Sequence, residues 1–75
     1  MDVKFRYTRH ARNRMRLRGV SEFEVEHTIL YPDKRFPDLD DEEKTHALKV
    51  WPRRTLDVVY VSTAKETRVI TVIIE

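Results

Sequence analysis

The amino-acid sequence predicts an α+β fold in which a short N-terminal strand and two helices precede a three- to four-stranded antiparallel meander sheet. Capping signals and good helix formers fill residues 8–31, which predicts the helices. Runs of β-branched and aromatic residues follow, and the short connections between them are typical of antiparallel hairpins. The chain has 75 residues, the length of one small domain, so residues 1–75 are expected to form a single unit.

The first strand and the first helix are predicted from local signals. Residues 3–7 alternate between apolar and basic side chains and predict a short strand. Thr8 is a suitable N-cap for a helix over residues 9–18. That helix should end at Gly19, the only glycine, because the residue after a helix often takes a left-handed conformation that glycine tolerates.

The second helix begins directly afterwards. Ser21 and Glu24 have the spacing of a capping box, and Pro32 requires the helix to end near residue 31. Proline within the next short strand would restrict that strand to a sheet edge. The predicted strands cover residues 35–39, 45–51, 56–62 and 67–74.

The register of the sheet follows from an assumption of symmetric hairpins. Residues 49, 58 and 71 then share one cross-strand row, which places Lys49 and Thr71 on one face together with Trp51 and Tyr60. Both faces carry more apolar surface than two helices on one side would cover. The uncovered face predicts a groove, a partner surface or a homodimer that forms through the sheet.

Charge is distributed unevenly along the chain. Residues 1–20 carry seven basic side chains and one acidic side chain, whereas residues 21–48 carry three basic and nine acidic side chains. A phosphate-rich partner such as RNA would favour the first segment and be repelled by the second. The sequence contains no cysteine and no long apolar run, so we expect a cytoplasmic protein without disulfides, thiolate metal sites or a membrane partner.

The arginine-rich first helix is the main candidate for function. At about 100° per residue, His10, Arg14 and Arg18 lie on one ridge. This ridge borders the arc that Ala11 and Met15 would bury, and its spacing suits a phosphate clamp. The other arginines of the helix are interpreted as general positive charge: Arg9, Arg12 and Arg16.

The chemistry of metal-free RNA cleavage needs a base, an acid and cations that hold the phosphorane charge. Histidine as a residue type is suited to acid or base work, which makes His10 the candidate, and arginine binds phosphate through two hydrogen bonds. In the alternative interpretation the helix is only a solvated face, and His10 bonds to backbone at the helix start. The residue pattern alone leaves both interpretations open, and it assigns no second acid.

The strands contribute weaker candidates. Lys49 and Thr71 would contact phosphate, but a strand lysine often extends to solvent and a strand threonine often reflects β propensity. Trp51 and Tyr60 would stack bases, although single aromatic residues more often belong to the core.

Metal and cofactor sites are not predicted. The three histidines are far apart in sequence and do not form a zinc pattern, and the acidic residues 38–44 lack the glycine and the spacing of an EF-hand. The sequence also lacks a glycine-rich phosphate-binding loop.

A family resemblance covers essentially the whole chain. Residues 7–15, with the sequence YTRHARNRM, and the following RGVS of residues 18–21 resemble the signature of the domain-of-unknown-function 4258 family. Residues 69–72 resemble its closing strand. By resemblance, that family is grouped with the RelE-like and barnase/EndoU/colicin-like fold of metal-independent ribonucleases and toxin components. The resemblance implies these roles: His10 as catalytic histidine, Arg14 and Arg18 as phosphate ligands, and Lys49 and Thr71 as contributors from the sheet.

The leading hypothesis is therefore a RelE-like, toxin-type endoribonuclease that acts on RNA without metal or cofactor and has a cognate antitoxin protein as a partner. The first alternative is a non-catalytic module of the same fold that binds nucleic acid or protein. A homo-oligomeric structural protein is the third hypothesis. The predicted nucleic-acid-binding residues are Arg6, Arg9, Arg14, Arg18, Lys49, Trp51 and Tyr60.

Overall fold

The computed structural model describes residues 3–75 and confirms the α+β prediction. Its elements follow one another in this order: β1 (Phe5–Tyr7), α1 (Arg9–Arg18), α2 (Glu22–Leu30), β2 (Lys34–Pro37), β3 (Thr45–Trp51), β4 (Arg54–Ser62) and β5 (Thr67–Ile74). The strands of these described residues form one sheet in the order β1-β5-β4-β3-β2. Strands β2 to β5 are an antiparallel meander, and β1 pairs with β5 in parallel at one edge.

The helix boundaries follow the predicted caps. Thr8 has an extended backbone, and its Oγ1 accepts a hydrogen bond from the Ala11 amide at 3.0 Å. Gly19 ends α1 with a φ of 64°, in the left-handed region where a Cβ atom would cause strain. Ser21 and Glu24 form both hydrogen bonds of the capping box at the start of α2.

The predicted sheet register is wrong between β3 and β4, whereas between β4 and β5 it is right from Tyr60 to Ser62 and wrong only beyond the bulge. The β3–β4 hairpin closes through a two-residue turn, so Lys49 pairs with Leu56 and not with Val58. Between β4 and β5, an irregularity leaves Ile70 as an extra residue, so that Val59 pairs with Thr71. A bulge of this kind changes the alternation of faces along a strand, which hydrophobic patterning cannot reveal. Lys49 and Thr71 therefore do not share a row.

Both helices pack on the same face of the sheet, α1 against β5 and α2 against β3 and β4. The core between these layers contains Leu56 and Val58 from the central strand, both fully enclosed. Val72 also belongs to this core because the bulge reverses the alternation after Ile70. The remaining buried apolar residues of the core cluster are Ala11, Met15, Val20, Val25, Ile29, Ala47, Tyr60 and Val69.

The opposite face of the sheet has no helix over it within the described residues. Phe36, Val50 and Ile73 expose apolar surface there. This is the face through which the predicted homodimer would form, and the homodimer remains a prediction. Along residues 3–75, no helix has the length and apolar character needed to cross a membrane.

Candidate nucleic-acid interface

The basic helix α1 lies with Ala11 and Met15 against the core. Arg14 is half-buried at the border of this contact, and both His10 and Arg18 are exposed further out. The chain therefore presents a histidine and two arginines along one flank of α1, with successive members four positions apart.

His10 contacts a strand that is distant in sequence. Its Nε2 atom lies 3.0 Å from Oγ1 of Thr71. Because the His10 side chain is exposed, its imidazole remains accessible to a substrate while the threonine hydroxyl fixes its orientation. The structure thus brings together two of the predicted catalytic residues, although the predicted row of Lys49 and Thr71 does not exist.

The N-cap residue explains how this contact forms. The Thr8 amide donates to the Val69 carbonyl at 3.1 Å, and the Thr8 hydroxyl donates to the Ile70 carbonyl at 3.0 Å. The first turn of α1 is therefore tied to the bulge in β5, one residue before Thr71. One threonine both begins the helix and positions His10 over the strand.

The arginines of α1 differ in their partners. Arg12 forms an ion pair with Glu22 at 2.8 Å and lies 4.7 Å above the ring of Tyr7. Arg16 donates to the side-chain oxygen of Asn13 at 2.9 Å. Three others make no ion pair with any carboxylate of residues 3–75: Arg9, Arg14 and Arg18. Their charge is available to a phosphate, which distinguishes them from Arg12.

Arg6 is less available than the sequence suggests. Its guanidinium lies 3.8 Å from Glu66, which also pairs with Arg68 at 3.1 Å. The Arg6 side chain is nevertheless largely exposed, so it supplies partly neutralised positive charge beside α1.

Lys49 lies apart from His10. Its ammonium group donates to the Tyr31 carbonyl at 2.9 Å, at the C-terminal end of α2, and lies 5.9 Å from the centre of the Trp51 ring. Strand β4 separates it from Thr71. Lys49 therefore acts first as a cap for α2, where a cation interacts favourably with the last carbonyl groups.

The two predicted base-stacking residues have different environments. Tyr60 is only 6% exposed and belongs to the core, so its ring has no free face for a base, which corrects the prediction for this residue. Trp51 is half-buried; its indole nitrogen donates to Thr28 at 3.0 Å, and its ring meets His27 in an edge contact.

Arg54 joins the two helices, a role that its place in a predicted turn did not reveal. It donates to the carbonyls of Arg18 and Gly19 at 2.9 and 3.0 Å, and it pairs with Glu24 at 2.9 Å. Burial raises the pKa of Glu24, but the hydrogen bonds from Ser21 and Arg54 outweigh this effect and lower the pKa below its ordinary value. The sequence contained only a general signal for this contact, because the carbonyl groups at the C-terminal end of a helix favour a nearby cation.

A second cluster lies on the helix-free face and was also missed. Nδ1 of His46 lies 2.8 Å from Asp57, Nε2 lies 2.7 Å from Asp38, and the ring stacks on Phe36 at 4.9 Å. An imidazole donates from both nitrogens only when it is protonated, so this geometry fits a cation. Burial lowers the pKa of His46, but the bonds to Asp38 and Asp57 outweigh it and raise the pKa. Along residues 3–75, no group of three or more His, Cys, Asp or Glu side chains is placed to hold a metal ion.

The fold and the basic helix define a small α+β protein with a cationic surface on its first helix. A family model described as "Domain of unknown function (DUF4258)" matches residues 7–74. The chain belongs to this family, which confirms the resemblance found in its sequence. Neither the curated proteins nor the solved structures provided a match.

Proposed function

We propose that this protein is a metal-independent endoribonuclease of the toxin type with a RelE-like fold. The observation that carries the proposal is the contact between His10 and Thr71 at 3.0 Å. It orients an exposed imidazole on the same flank of α1 as two arginines that have no carboxylate partner among residues 3–75. Of the groups that metal-free cleavage of RNA needs, this surface supplies an oriented base and free cations.

In the proposed reaction, His10 takes the proton from a ribose 2′-hydroxyl, and the oxygen attacks the neighbouring phosphorus. The bond from phosphorus to the 5′-oxygen breaks, which yields a 2′,3′-cyclic phosphate and a 5′-hydroxyl. No second acid contacts His10 in the described part of the chain, so the leaving oxygen takes its proton from water, and protonated His10 then returns its proton to the resulting hydroxide. Arg14 and Arg18 hold the phosphate and stabilise the charge of the phosphorane.

A substrate substitution tests this mechanism. We expect the purified protein to cleave a single-stranded RNA in EDTA and to leave a cyclic phosphate end. The same oligonucleotide with 2′-deoxyribose throughout should bind but remain intact, because it lacks the attacking hydroxyl. Cleavage of the deoxy oligonucleotide, or cleavage that stops in EDTA, would contradict the proposal.

The absence of a second acid beside His10 within residues 3–75 favours one alternative, a non-catalytic module that binds RNA through the same helix. Its signature is salt-dependent binding without any cleavage product. The toxin proposal also includes a cytoplasmic site of action and a cognate antitoxin protein. Co-expression with a neighbouring antitoxin gene should then relieve growth arrest that the wild-type chain causes and that a His10→Ala variant does not.

A further inference from the structure

The outer face of α2 carries a row of aromatic rings. Phe23, His27 and Tyr31 follow one another at four-residue intervals, which places them on one side of the helix. The centre of the His27 ring lies 5.5 Å from that of Phe23 and 5.1 Å from that of Tyr31. Trp51 of β3 joins the row through an edge contact with His27 at 5.5 Å. These four residues are called the α2 aromatic row.

Two rings of the row, those of Phe23 and Tyr31, lie outside the core, whereas Trp51 is half-buried and packs against it. Phe23 is 68% exposed and Tyr31 is 64% exposed, whereas Val25, Thr28 and Ile29 fill the sheet-facing side of the same helix. Two large rings on a solvated helix face are unfavourable in water unless a ligand covers them. Clustered exposed apolar surface of this kind marks an interaction site.

The charges around the row favour an anionic ligand. Two of the three carboxylates of α2 are paired with cations, Glu22 with Arg12 and Glu24 with Arg54, while Glu26 accepts a hydrogen bond from the Tyr7 hydroxyl and keeps its charge. Two cations lie next to Trp51. Lys49 is close to its ring. Arg53 lines an open cleft with Trp51 and with the paired Glu24 and Arg54, and it has no carboxylate partner in residues 3–75.

The shape of the row decides between ligand classes. Protein partners usually anchor large side chains in concave pockets, whereas the outer side of a helix is convex. Stacking of a base needs only an exposed ring face, with cations nearby for the phosphates. In a duplex the base faces are hidden, so only a single strand would use the row.

We propose that the α2 aromatic row binds the bases of single-stranded RNA and that Lys49 and Arg53 hold the adjoining phosphates. This inference rests on the proposed function, because it extends the RNA-binding surface from α1 to α2. Phe23 and Tyr31 take the base-stacking role that the sequence had suggested for Tyr60, whose ring is enclosed.

The test uses Trp51, the only tryptophan, as a fluorescent reporter. A His10→Ala background prevents cleavage, and the ligand is a 12-residue oligouridylate in EDTA. We expect quenching of the Trp51 emission on binding. A Phe23→Ala/Tyr31→Ala double variant should bind about 25-fold more weakly or worse, since one ring contributes roughly 5-fold or more. The slope of affinity against salt should not change, because no phosphate contact is lost.

Three controls distinguish base stacking from general effects of apolar surface and of charge. Leu17→Ala removes a residue that is 66% exposed on α1 and should bind like the parent. Phe23→Tyr/Tyr31→Phe keeps both rings and should retain the parent affinity. Inorganic polyphosphate of equal length carries charge without bases, so the ring variants should bind it as tightly as the parent does.

Equal RNA affinity of the double variant and its parent would overturn the inference and leave the ribonuclease proposal intact. Dissociation of a dimer by the same substitutions, seen in light scattering without loss of RNA affinity, would overturn it in favour of self-association. Retained RNA binding that depends on the rings, without cleavage by the wild type, would support the row and contradict the ribonuclease.

Discussion

Nε2 of His10 lies 3.0 Å from Oγ1 of Thr71, although 61 positions separate the two residues in the chain. The contact depends on Thr8, which begins α1 and bonds to the carbonyls of Val69 and Ile70. Strand β1 pairs only with the part of β5 that precedes the bulge at Ile70. At Thr71, the edge of β5 that faces away from β4 therefore has no strand partner. Helix capping and strand irregularity together place the candidate base.

Thr71→Val should weaken cleavage without preventing binding. Valine keeps the β-branched shape that suits the strand but removes the hydroxyl that orients His10. A hydrogen bond of this kind contributes about 0.5–1.5 kcal/mol, so we expect kcat to fall by about 2- to 10-fold while the RNA dissociation constant stays the same. Thr71→Ser, which restores the hydroxyl, serves as the control. Equal kcat for Val and Ser variants would remove Thr71 from the mechanism.

Arg14→Gln and Arg18→Gln should each weaken RNA binding in a salt-dependent way. Neither arginine is neutralised by a carboxylate of residues 3–75, so each would release counterions when it meets a phosphate. The slope of log affinity against log salt should fall by about 0.7 for each arginine lost. Arg68→Gln is the matched control, because Arg68 is already paired with Glu66. Slopes equal to that of the wild type in all three variants would contradict phosphate contacts by Arg14 and Arg18.

Arg54→Met should destabilise the fold. The substitution keeps much of the aliphatic stem but removes hydrogen bonds to two carbonyls of the α1 terminus and to the half-buried Glu24. Charged hydrogen bonds of this kind contribute about 1.5–3 kcal/mol, so the free energy of unfolding should fall by about 2 kcal/mol. Urea denaturation measures this loss. Arg53→Met, a change at the exposed neighbouring position, should stay within about 0.5 kcal/mol of the wild type.

Stability should depend on pH through His46. Because the folded state raises the pKa of His46 above its ordinary 6.5, its contribution is fully present below that value. The contribution is lost as the pH rises through the raised pKa. Asp38 behaves oppositely: the bond from His46 lowers its pKa below 3.8, so its contribution is lost only when the pH falls through the lowered value.

Urea denaturation between pH 5.5 and pH 9 measures the contribution of His46 to the free energy of unfolding. The wild type should lose stability with rising pH, while a His46→Gln variant should show a flatter curve because glutamine does not titrate in this range. A wild-type stability that is constant or rises over this range would contradict the protonated geometry between Asp38 and Asp57.

The sequence predicted those parts of the fold whose cause is local. Thr8, Gly19 and the pair of Ser21 and Glu24 carry their boundary signals within a few residues, and α1 and α2 begin and end where these signals indicate. Sheet register was predicted wrongly between β3 and β4 and beyond Ile70 in β5, because neither the short turn before Arg54 nor the bulge at Ile70 alters the hydrophobic pattern.

The positions of the candidate residues on α1 were predicted, but their partners elsewhere in the fold were not. Helical periodicity placed His10, Arg14 and Arg18 on one flank because it needs only the angle between successive residues. The partners of these residues depend on contacts across the fold. Sequence alone therefore gave no reason to expect Lys49 at the end of α2 or His46 between two carboxylates.

The most direct test of the central claim compares His10→Ala with the wild type in an RNA-cleavage assay that contains EDTA. Leu17→Ala, a change on the same helix at a residue without an assigned role, controls for folding and purity. The account predicts that the wild type and Leu17→Ala release cyclic-phosphate products at similar rates and that His10→Ala cleaves at least about 100-fold more slowly. Undiminished cleavage by His10→Ala would contradict the account, because it would remove the imidazole from the chemistry.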